Sequence, residues 1–466
     1  MRFTLAVLAS NGTANLIRLL KRGGGTSYPG LVAQKIDPTI LSKLNAQLKR
    51  GSVLVTGTNG KTTTTALIQT ILKQSGLKVL YNKTGANMLA GIIVSFLRAA
   101  DALGKIEHDA AVIETDEGVF PQLCQTIHPE LVVVTNFFRD QLDRYGELDK
   151  TISYIRMGLS KLPKGTKVLL NADDPMVVGL SGIEGLKYFY FGLEDPEIAF
   201  QEMNQTAEGK YCPRCGTMLG YRHYYYSHMG DYRCPNCGFS RPKPTYFSDN
   251  IQLMGLNGSQ FQLHDTSSQG IEISTSLPGL YNIYNILAAN AAGDILGIDQ
   301  KSRQTAIKGF QSVFGRMERV QVQDKQIIMA LVKNPAGWNE VMRTLFQHHG
   351  KYHLLIALND QIPDGTDVSW IWDADAEQLS AVSSSITGFT ISGSRAYDMA
   401  VRLKYAGLDL KAEQVEMDIS KAWEKALVDT VPSGILVVIP NYTAMLALQE
   451  VMANQGYVKP YWEDKK

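Results

Sequence analysis

The sequence predicts an α/β protein: a central P-loop domain on a parallel sheet, an inserted four-cysteine zinc ribbon, and a smaller C-terminal α/β domain. Three observations predict it. Strand-like apolar runs alternate with helical patterns from residue 51 to about 200, and again after about 322. One of these strands runs into Gly-Thr-Asn-Gly-Lys-Thr (57–62) and then into a helix. Four of the five cysteines form two Cys-x-x-Cys pairs within a Tyr- and Gly-rich stretch.

In chain order, residues 1–50 read as an irregular, partly helical lead-in packed on the central domain. Its apolar stretch 3–9 is seven residues long. That is too short for a signal-peptide core followed by a cleavage site, and far too short for a membrane span. It is read as the first strand or helix of a cytoplasmic protein. "NLIRLLKR" (15–22) could touch a membrane surface but reads better as a packed amphipathic helix, and "RGGGTSYPG" (22–30) reads as a loop. Strands are expected at 52–57, 108–115, 130–136 and 167–173. Residues 205–245 break the pattern as an insertion, 246–276 alternate like β-strands, and 281–298 read as a helix. The last strands are expected at 353–358, 388–393 and 434–440. The domains are therefore 1–50, 51–321 and 322–466. A formal net charge of +1 supplies no field for counterion release, so bulk nucleic-acid binding is disfavoured.

A loop that leaves a strand and opens a helix presents unpaired N–H groups and the positive end of a helix dipole. Gly57, Thr58, Asn59, Gly60, Lys61, Thr62 and Thr63 form such a loop, and glycine lets the backbone approach a phosphate closely. Lys61 can bridge the β- and γ-phosphates of ATP, and the Thr62 hydroxyl can hold Mg²⁺. Gly57 and Gly60 are two residues apart, where the usual P-loop has four between its glycines, and Val55 occupies the earlier glycine position.

This compact loop resembles the Mur ligases and the folylpolyglutamate synthetases, which use ATP to make an acyl phosphate that an amine attacks. Further stretches resemble the family in order. "VIETDEG" places Glu114 as its Mg²⁺-binding glutamate, and "TNFFRDQLDRYG" and "LLNADDP" (Asn171, Asp173, Asp174) follow. In the helix 281–298, Asn282 is similar to the adenine-side asparagine, and Arg316 to the arginine that contacts ATP. Each residue also has a plainer reading. Glu114 could be a solvated strand-end acid, Asn282 and Asn285 helix polar groups, Asp173 and Asp174 a turn, and Arg316 a surface ion pair. Four positions depart from the pattern. Gln141 replaces a histidine near the second metal, and Gly158 is nearest to where a carbamylated lysine would sit. Ala330 and Lys333 replace the aspartate and histidine of a nucleotide-contacting motif; Lys333 could reach the γ-phosphate or lie on the surface.

Cys212–Cys215 and Cys234–Cys237 are separated by 18 residues, a zinc-ribbon spacing. Two disulfides are the alternative, disfavoured in a cytoplasmic protein. Four thiolates leave Zn²⁺ no open position, so the metal would be structural. Cys124 reads as a buried apolar residue.

The P-loop domain, the cysteine quartet and "LNDQIPDGTDVSWIWDAD" (358–375) together resemble the MurT family of synthetase subunits of lipid II isoglutaminyl synthase. That resemblance implies ATP- and Mg²⁺-dependent amidation of the α-carboxylate of D-isoglutamate in the lipid II stem peptide, at the inner membrane face. It implies a heterodimer with a separate GatD-like glutaminase that supplies ammonia. The family is understood to lend an acidic residue to the partner's Cys-His pair. Asp364, at an expected turn tip, is preferred for this; Asp360, at a strand end, and Asp367 follow. A solvated acidic loop is the plainer reading. The rival functions are a stand-alone Mur or folylpolyglutamate-type ligase, a zinc-ribbon nucleic-acid-binding ATP switch, and an inactive scaffold.

Overall fold

Two largely parallel sheets, each covered by helices, carry the chain. The computed structural model describes residues 2–19, 27–82, 86–140, 148–202, 208–267, 270–312, 315–348, 350–381 and 383–459. The first sheet holds β1 (Ser52–Thr56), β2 (Val79–Tyr81), β3 (Ala110–Glu114), β4 (Leu131–Val134), β5 (Lys167–Asn171), β6 (Lys187–Leu193), β9 (Tyr246–Leu253), β10 (Ser259–His264) and β11 (Ile271–Thr275). Its order is β11-β10-β9-β6-β5-β4-β1-β3-β2. β9 to β11 form an antiparallel meander on the edge; the other pairings are parallel.

β1 is central and buried along its whole length, which explains its unbroken apolar run. Because side chains alternate across a strand, Val53 and Val55 enter one core with the helices Lys61–Gln74 and Leu280–Ile295. Leu54 enters the other, with Ala6, Val7, Ala33, Ile40 and Leu44 of the N-terminal segment. Among its described residues that segment forms the helices Arg2–Leu19, Tyr28–Ile36 and Ile40–Asn45, more regular than the expected lead-in. The stretch 3–9 is helical, and among the described residues no helix is long and apolar enough to cross a membrane.

The second sheet holds β12 (Arg316–Val322), β13 (Lys325–Ala330), β14 (Tyr352–Ala357), β15 (Ile386–Ser392) and β16 (Ile435–Pro440), in the order β12-β13-β16-β14-β15. The expected boundary at 321/322 therefore falls too late. β12 pairs with β13 through a two-residue turn in which Gln323 has φ +55°, so the second unit has begun by Arg316.

The cysteine-rich insertion lies between β6 and β9 and carries the hairpin β7 (Gly220–Tyr226) and β8 (Met229–Arg233). Asp173 ties it to the central sheet. This carboxylate is fully buried; it accepts from Arg241 Nε of the insertion at 2.7 Å, the Tyr284 hydroxyl at 2.7 Å and the Leu193 N–H at 2.9 Å. Asp173→Ala is expected to take from the buried Arg241 guanidinium one of its two carboxylates, leaving Glu194, and from the buried Tyr284 hydroxyl its acceptor, at a cost of about 2–3 kcal/mol in unfolding free energy. Denaturant titration checks this; an unchanged midpoint would show the insertion to be held by other contacts.

Candidate nucleotide and metal sites

β1 ends at the carboxyl edge of the sheet, between β3 and β4, so its loop emerges where their ends converge. Gly57 (φ +118°) and Gly60 (φ +85°) hold the turn. A Cβ on Gly57 would meet Thr135 Oγ1 at 2.4 Å, and one on Gly60 would meet Asn285 Oδ1 at 2.3 Å. Neighbouring strand ends fix the loop. Thr58 N–H donates to the Asn136 carbonyl at 2.9 Å, Asn59 N–H to Asn136 Oδ1 at 2.9 Å, and the Thr135 hydroxyl to the Asn59 carbonyl at 2.8 Å. Asn334 of the second unit donates to Asn59 Oδ1 at 3.2 Å. Asn59 Nδ2 finds no partner among the described residues although it is buried, leaving a donor in the cleft.

Lys61 opens the helix Lys61–Gln74 and is nearly buried. Its Nζ donates to the Gly57 carbonyl at 2.5 Å and to Glu117 Oε1 at 2.6 Å. Burial opposes its charge, but Glu117, then Asp116 and Glu114, outweigh burial and raise its pKa. Glu117 was not singled out from the sequence. Its signal was the acidic run 114–117, in which Glu114, Asp116 and Glu117 all emerge together at the end of β3. Glu114 is buried at the strand end expected of it, with its backbone bonded by the Asn82 side chain at 2.7 and 2.8 Å.

Across the loop, Thr62, Thr63, Asn285, Arg316, Lys333 and Glu340 line one cleft with Tyr226, Met229 and Tyr281. Lys333 is ion-paired with Asp140. Burial lowers the pKa of Arg316, against Glu114 first and then Tyr281 and Asp140. Asp140 Oδ1 is buried and finds no hydrogen-bond partner among the described residues. Cations and carboxylates are thus gathered at one mouth, a donor set suited to triphosphate and Mg²⁺. Thr62 and Glu114 could hold the metal, and Ala330, noted in the sequence as replacing an aspartate of the resembled family, lines the cleft.

Three expected residues stand elsewhere. Asn282 lies behind the cleft, donating to the Pro278 carbonyl at 2.8 Å and accepting from Asn285 at 3.1 Å; Asn285 is the one that meets the loop. Asp174 caps the short helix Pro175–Val178, bonding the Met176 and Val177 N–H groups. With Asp173 it orders the insertion, which explains the "LLNADDP" turn structurally. Gly158 packs in the core, where an added Cβ would meet the Phe120 ring at 2.4 Å, so no lysine fits there. Gln141 lies outside the described residues.

The four insertion sulfurs lie within 4.8 Å of one another, with Cys212–Cys237 at 3.6 Å and Cys215–Cys234 at 3.5 Å. A tetrahedron with Zn–S bonds of about 2.3 Å has edges near 3.8 Å. Arg214 and Cys237 N–H groups point at Cys212 and Cys234 Sγ, each at 3.5 Å. The residues fit a structural Zn²⁺. Metal analysis is expected to find about one Zn²⁺ per chain, and Cys212→Ser to lower stability, since such binding energy is folding energy. Unchanged stability after zinc removal would contradict this.

The acidic loop is arranged differently from expectation. Asp364 does not tip an exposed turn. It is buried, its carboxylate accepts from Thr443 N–H at 2.8 Å and from the Thr443 hydroxyl, and it thereby caps the helix Tyr442–Asn454. Asp360 is half-buried, held by the Ser394 hydroxyl at 2.7 Å and Arg395 at 3.1 Å. Asp367 is exposed, with Oδ1 accepting from Ser369 N–H at 2.8 Å. That bond and the Ser369 side chain hold its pKa below the ordinary value.

Residues 55–293 match the Mur ligase middle domain, and residues 331–445 match the MurT ligase C-terminal domain. The chain is 37% identical over 426 residues to the lipid II isoglutaminyl synthase (glutamine-hydrolyzing) subunit MurT of Staphylococcus aureus, covering 91% of this chain and 92% of that one. It is 36% identical over 459 residues to the Streptococcus pneumoniae subunit of the same name, covering 98% and 99%. Two solved structures share the fold. A pseudomurein peptide ligase type C from Methanothermus fervidus has a TM-score of 0.64 at 24% identity, over 89% of this chain and 80% of that one. The Thermotoga maritima MurF ligase, in complex with ADP, has a TM-score of 0.61 at 13% identity, over 93% and 85%.

Proposed function

The chain belongs to the MurT family of Mur-type ATP-dependent ligases, and from that premise we propose that it is the synthetase half of a two-chain amidotransferase acting on lipid II. One juxtaposition carries the proposal: a complete phosphate loop faces a cleft of opposed charges in a chain without an accessible thiol outside the ribbon. Cys124 is fully buried against Phe120 and Gly158, and burial pushes its thiol pKa up. The ribbon cysteines are committed to metal. The usual glutaminase of an amidotransferase works with a Cys nucleophile beside a His, which this chain does not offer, so hydrolysis is assigned to a partner, a GatD-like glutaminase.

In this reading the γ-phosphoryl of ATP passes to the α-carboxylate of D-isoglutamate in the stem peptide, giving an acyl phosphate and ADP. Ammonia attacks the acyl carbon, phosphate leaves with the bonding pair, and the nitrogen loses a proton to leave the amide. Gly57, Gly60 and Thr63 offer loop N–H groups, and Lys61 a cation, to the phosphates, while Thr58 and Asn59, whose N–H groups are held by Asn136, fix the shape of the loop. Thr62 and Glu114 would hold Mg²⁺, which would offset phosphate charge, while Arg316 and Lys333 neutralise developing charge. Asn282 acts through Asn285 by fixing it against the loop. Ammonia and acyl phosphate both need shielding from water, which suits delivery from a bound partner. The substrate is a lipid, so the work would be done at the inner membrane face from the cytoplasm.

The partner surface is proposed to be the acidic loop and the helix Ala396–Tyr405 beside it. That helix exposes Tyr397, Val401 and Tyr405 at i, i+4, i+8 spacing, and Tyr405 packs edge-on against exposed Trp372 with centroids 5.6 Å apart. An exposed aromatic stripe of this kind marks a contact surface. A triad carboxylate needs one oxygen held and one presented. Asp367 fits that need better than buried Asp364 or the Arg395-paired Asp360. Tyr405→Glu is expected to abolish co-purification with a small Cys-His glutaminase that the wild-type chain retains. Retention by the variant would remove this surface from the interface.

A further inference from the structure

Charge is spread unevenly along the chain. Residues 1–50 contain eight Lys and Arg against one acidic residue, Asp37, a formal charge of +7. The whole chain carries +1, so the remainder carries −6. Asp37 is buried and paired with Lys43 at 2.7 Å, and the segment has no other carboxylate to offset its cations. Such asymmetry points to an anionic surface as partner.

The same segment turns an apolar side outward. In the helix Arg2–Leu19, Ala6, Val7 and Ser10 are buried, the first two in the core shared with Leu54. On the opposite side Leu5, Leu8 and Leu16 are each more than half exposed, with exposed Gly12 between them. At about 100° per residue these four positions share one arc of about 80°. The helix Tyr28–Ile36 packs beside it and repeats the arrangement. Gly30 and Ala33 are buried, and a Cβ on Gly30 would meet the Ala90 carbonyl oxygen at 2.1 Å. Tyr28, Leu31 and Lys35 are exposed at i, i+3, i+7 spacing, the first two by more than half. Single exposed leucines are ordinary, but five large apolar residues on two packed helices mark a contact surface.

The chemistry narrows the occupant. A nucleic acid would match the charge and leave the leucines in water. A second copy would bring one strongly basic segment against another. The surface proposed above for the glutaminase lies on the other unit. An anionic bilayer surface matches both features. We infer that the helices Arg2–Leu19 and Tyr28–Ile36 seat the protein on anionic phospholipid, with Leu5, Leu8, Leu16, Tyr28 and Leu31 entering the boundary between headgroups and acyl chains. Arg2 and Lys35, both exposed, sit at the headgroups. The helices lie on the bilayer; neither is long and apolar enough to cross it. The inference deepens, and rests on, the reading that the acceptor is lipid-linked, since this seating holds the cleft at the leaflet that carries it.

Co-sedimentation of the full chain with vesicles of phosphatidylglycerol or of phosphatidylcholine tests it. Wild type is expected to bind the anionic vesicles about tenfold or more tightly than the neutral ones, and to lose most of that advantage at about 1 M salt, where charges are screened within about 3 Å. Leu8→Glu/Leu16→Glu/Leu31→Glu, all at exposed positions, is expected to melt as the wild type and to bind the anionic vesicles about tenfold or more weakly. Lys35→Ala is expected to weaken that binding about fivefold. With ammonium as nitrogen donor, the triple variant is expected to amidate lipid II in vesicles about tenfold more slowly than wild type, and lipid II in detergent at the same rate. Wild type that ignores the anionic vesicles, or a triple variant that binds them equally well, would overturn the inference. Loss of a second copy or of the glutaminase chain by the variant, with vesicle binding intact, would overturn it in favour of a protein interface. Wild type that binds the vesicles but amidates lipid II in neither form would instead overturn the reading of the substrate and leave the membrane surface standing.

Discussion

A Lys61→Met/Glu117→Gln protein is expected to melt close to the wild type and to show no ATP-dependent amidation. The pairing explains why both positions must change. Lys61 and Glu117 side chains are 10% and 8% exposed and 2.6 Å apart. Lys61→Ala alone would strand a buried carboxylate, costing about 3–5 kcal/mol, and its inactivity could be blamed on misfolding. Replacing both charges with groups of similar shape removes that penalty, because an uncharged pair needs no counterion. What remains lost is the cation for the phosphates and its fixed position in the loop. Thermal melts of the two variants, run beside an amidation assay with ammonium as nitrogen donor, separate the effects. Amidation by the stable double variant would show that Lys61 does not act on the phosphates.

The second large effect concerns glutamine hydrolysis by the assembled complex. Asp367→Asn is expected to lower it by orders of magnitude, as loss of the carboxylate behind a triad histidine does, while amidation from ammonium continues. Asp360→Asn should have a smaller effect, since that carboxylate already serves Arg395 and Ser394. Asp364→Asn should keep the Thr443 N–H bond and most activity, whereas Asp364→Ala should cost about 1 kcal/mol through the lost helix cap. Normal hydrolysis by all three Asn variants, with the partner still bound, would reduce the loop to a structural element. Failure of Asp367→Asn with ammonium as well would place the loop in the synthetase chemistry.

What the sequence made legible follows from how local each signal is. β1, β3, β4 and β5 are short apolar runs bounded by turn residues, and the structure has each within its expected range. The glycines, Lys61 and Thr62 were readable because phosphate binding by backbone N–H groups requires those residue types in that order. The cysteine quartet was readable for the same reason. Glu117 was not, because its importance comes from an ion pair 56 residues distant in sequence, which spacing does not reveal. β13 and β6 carry ordinary side chains and gain their strand pairing from distant neighbours. Asp364 looked like a turn tip because Asp-Gly favours turns. Its burial depends on Thr443, 79 residues on, toward which its side chain turns while Ile362 beside it stays exposed. Asn282 and Asn285 are one helical turn apart, and only packing against Gly60 decides which of them meets the loop.

The division of labour is tested most directly by supplying nitrogen in two forms. The purified chain is incubated with lipid II, MgATP and either ammonium or glutamine, and the stem peptide is read by mass spectrometry. The account predicts amidated product from ammonium with the chain alone. It predicts product from glutamine only when a Cys-His glutaminase chain is added. Amidation from glutamine by the chain alone would contradict it, and so would failure with ammonium in protein that binds ATP and lipid II.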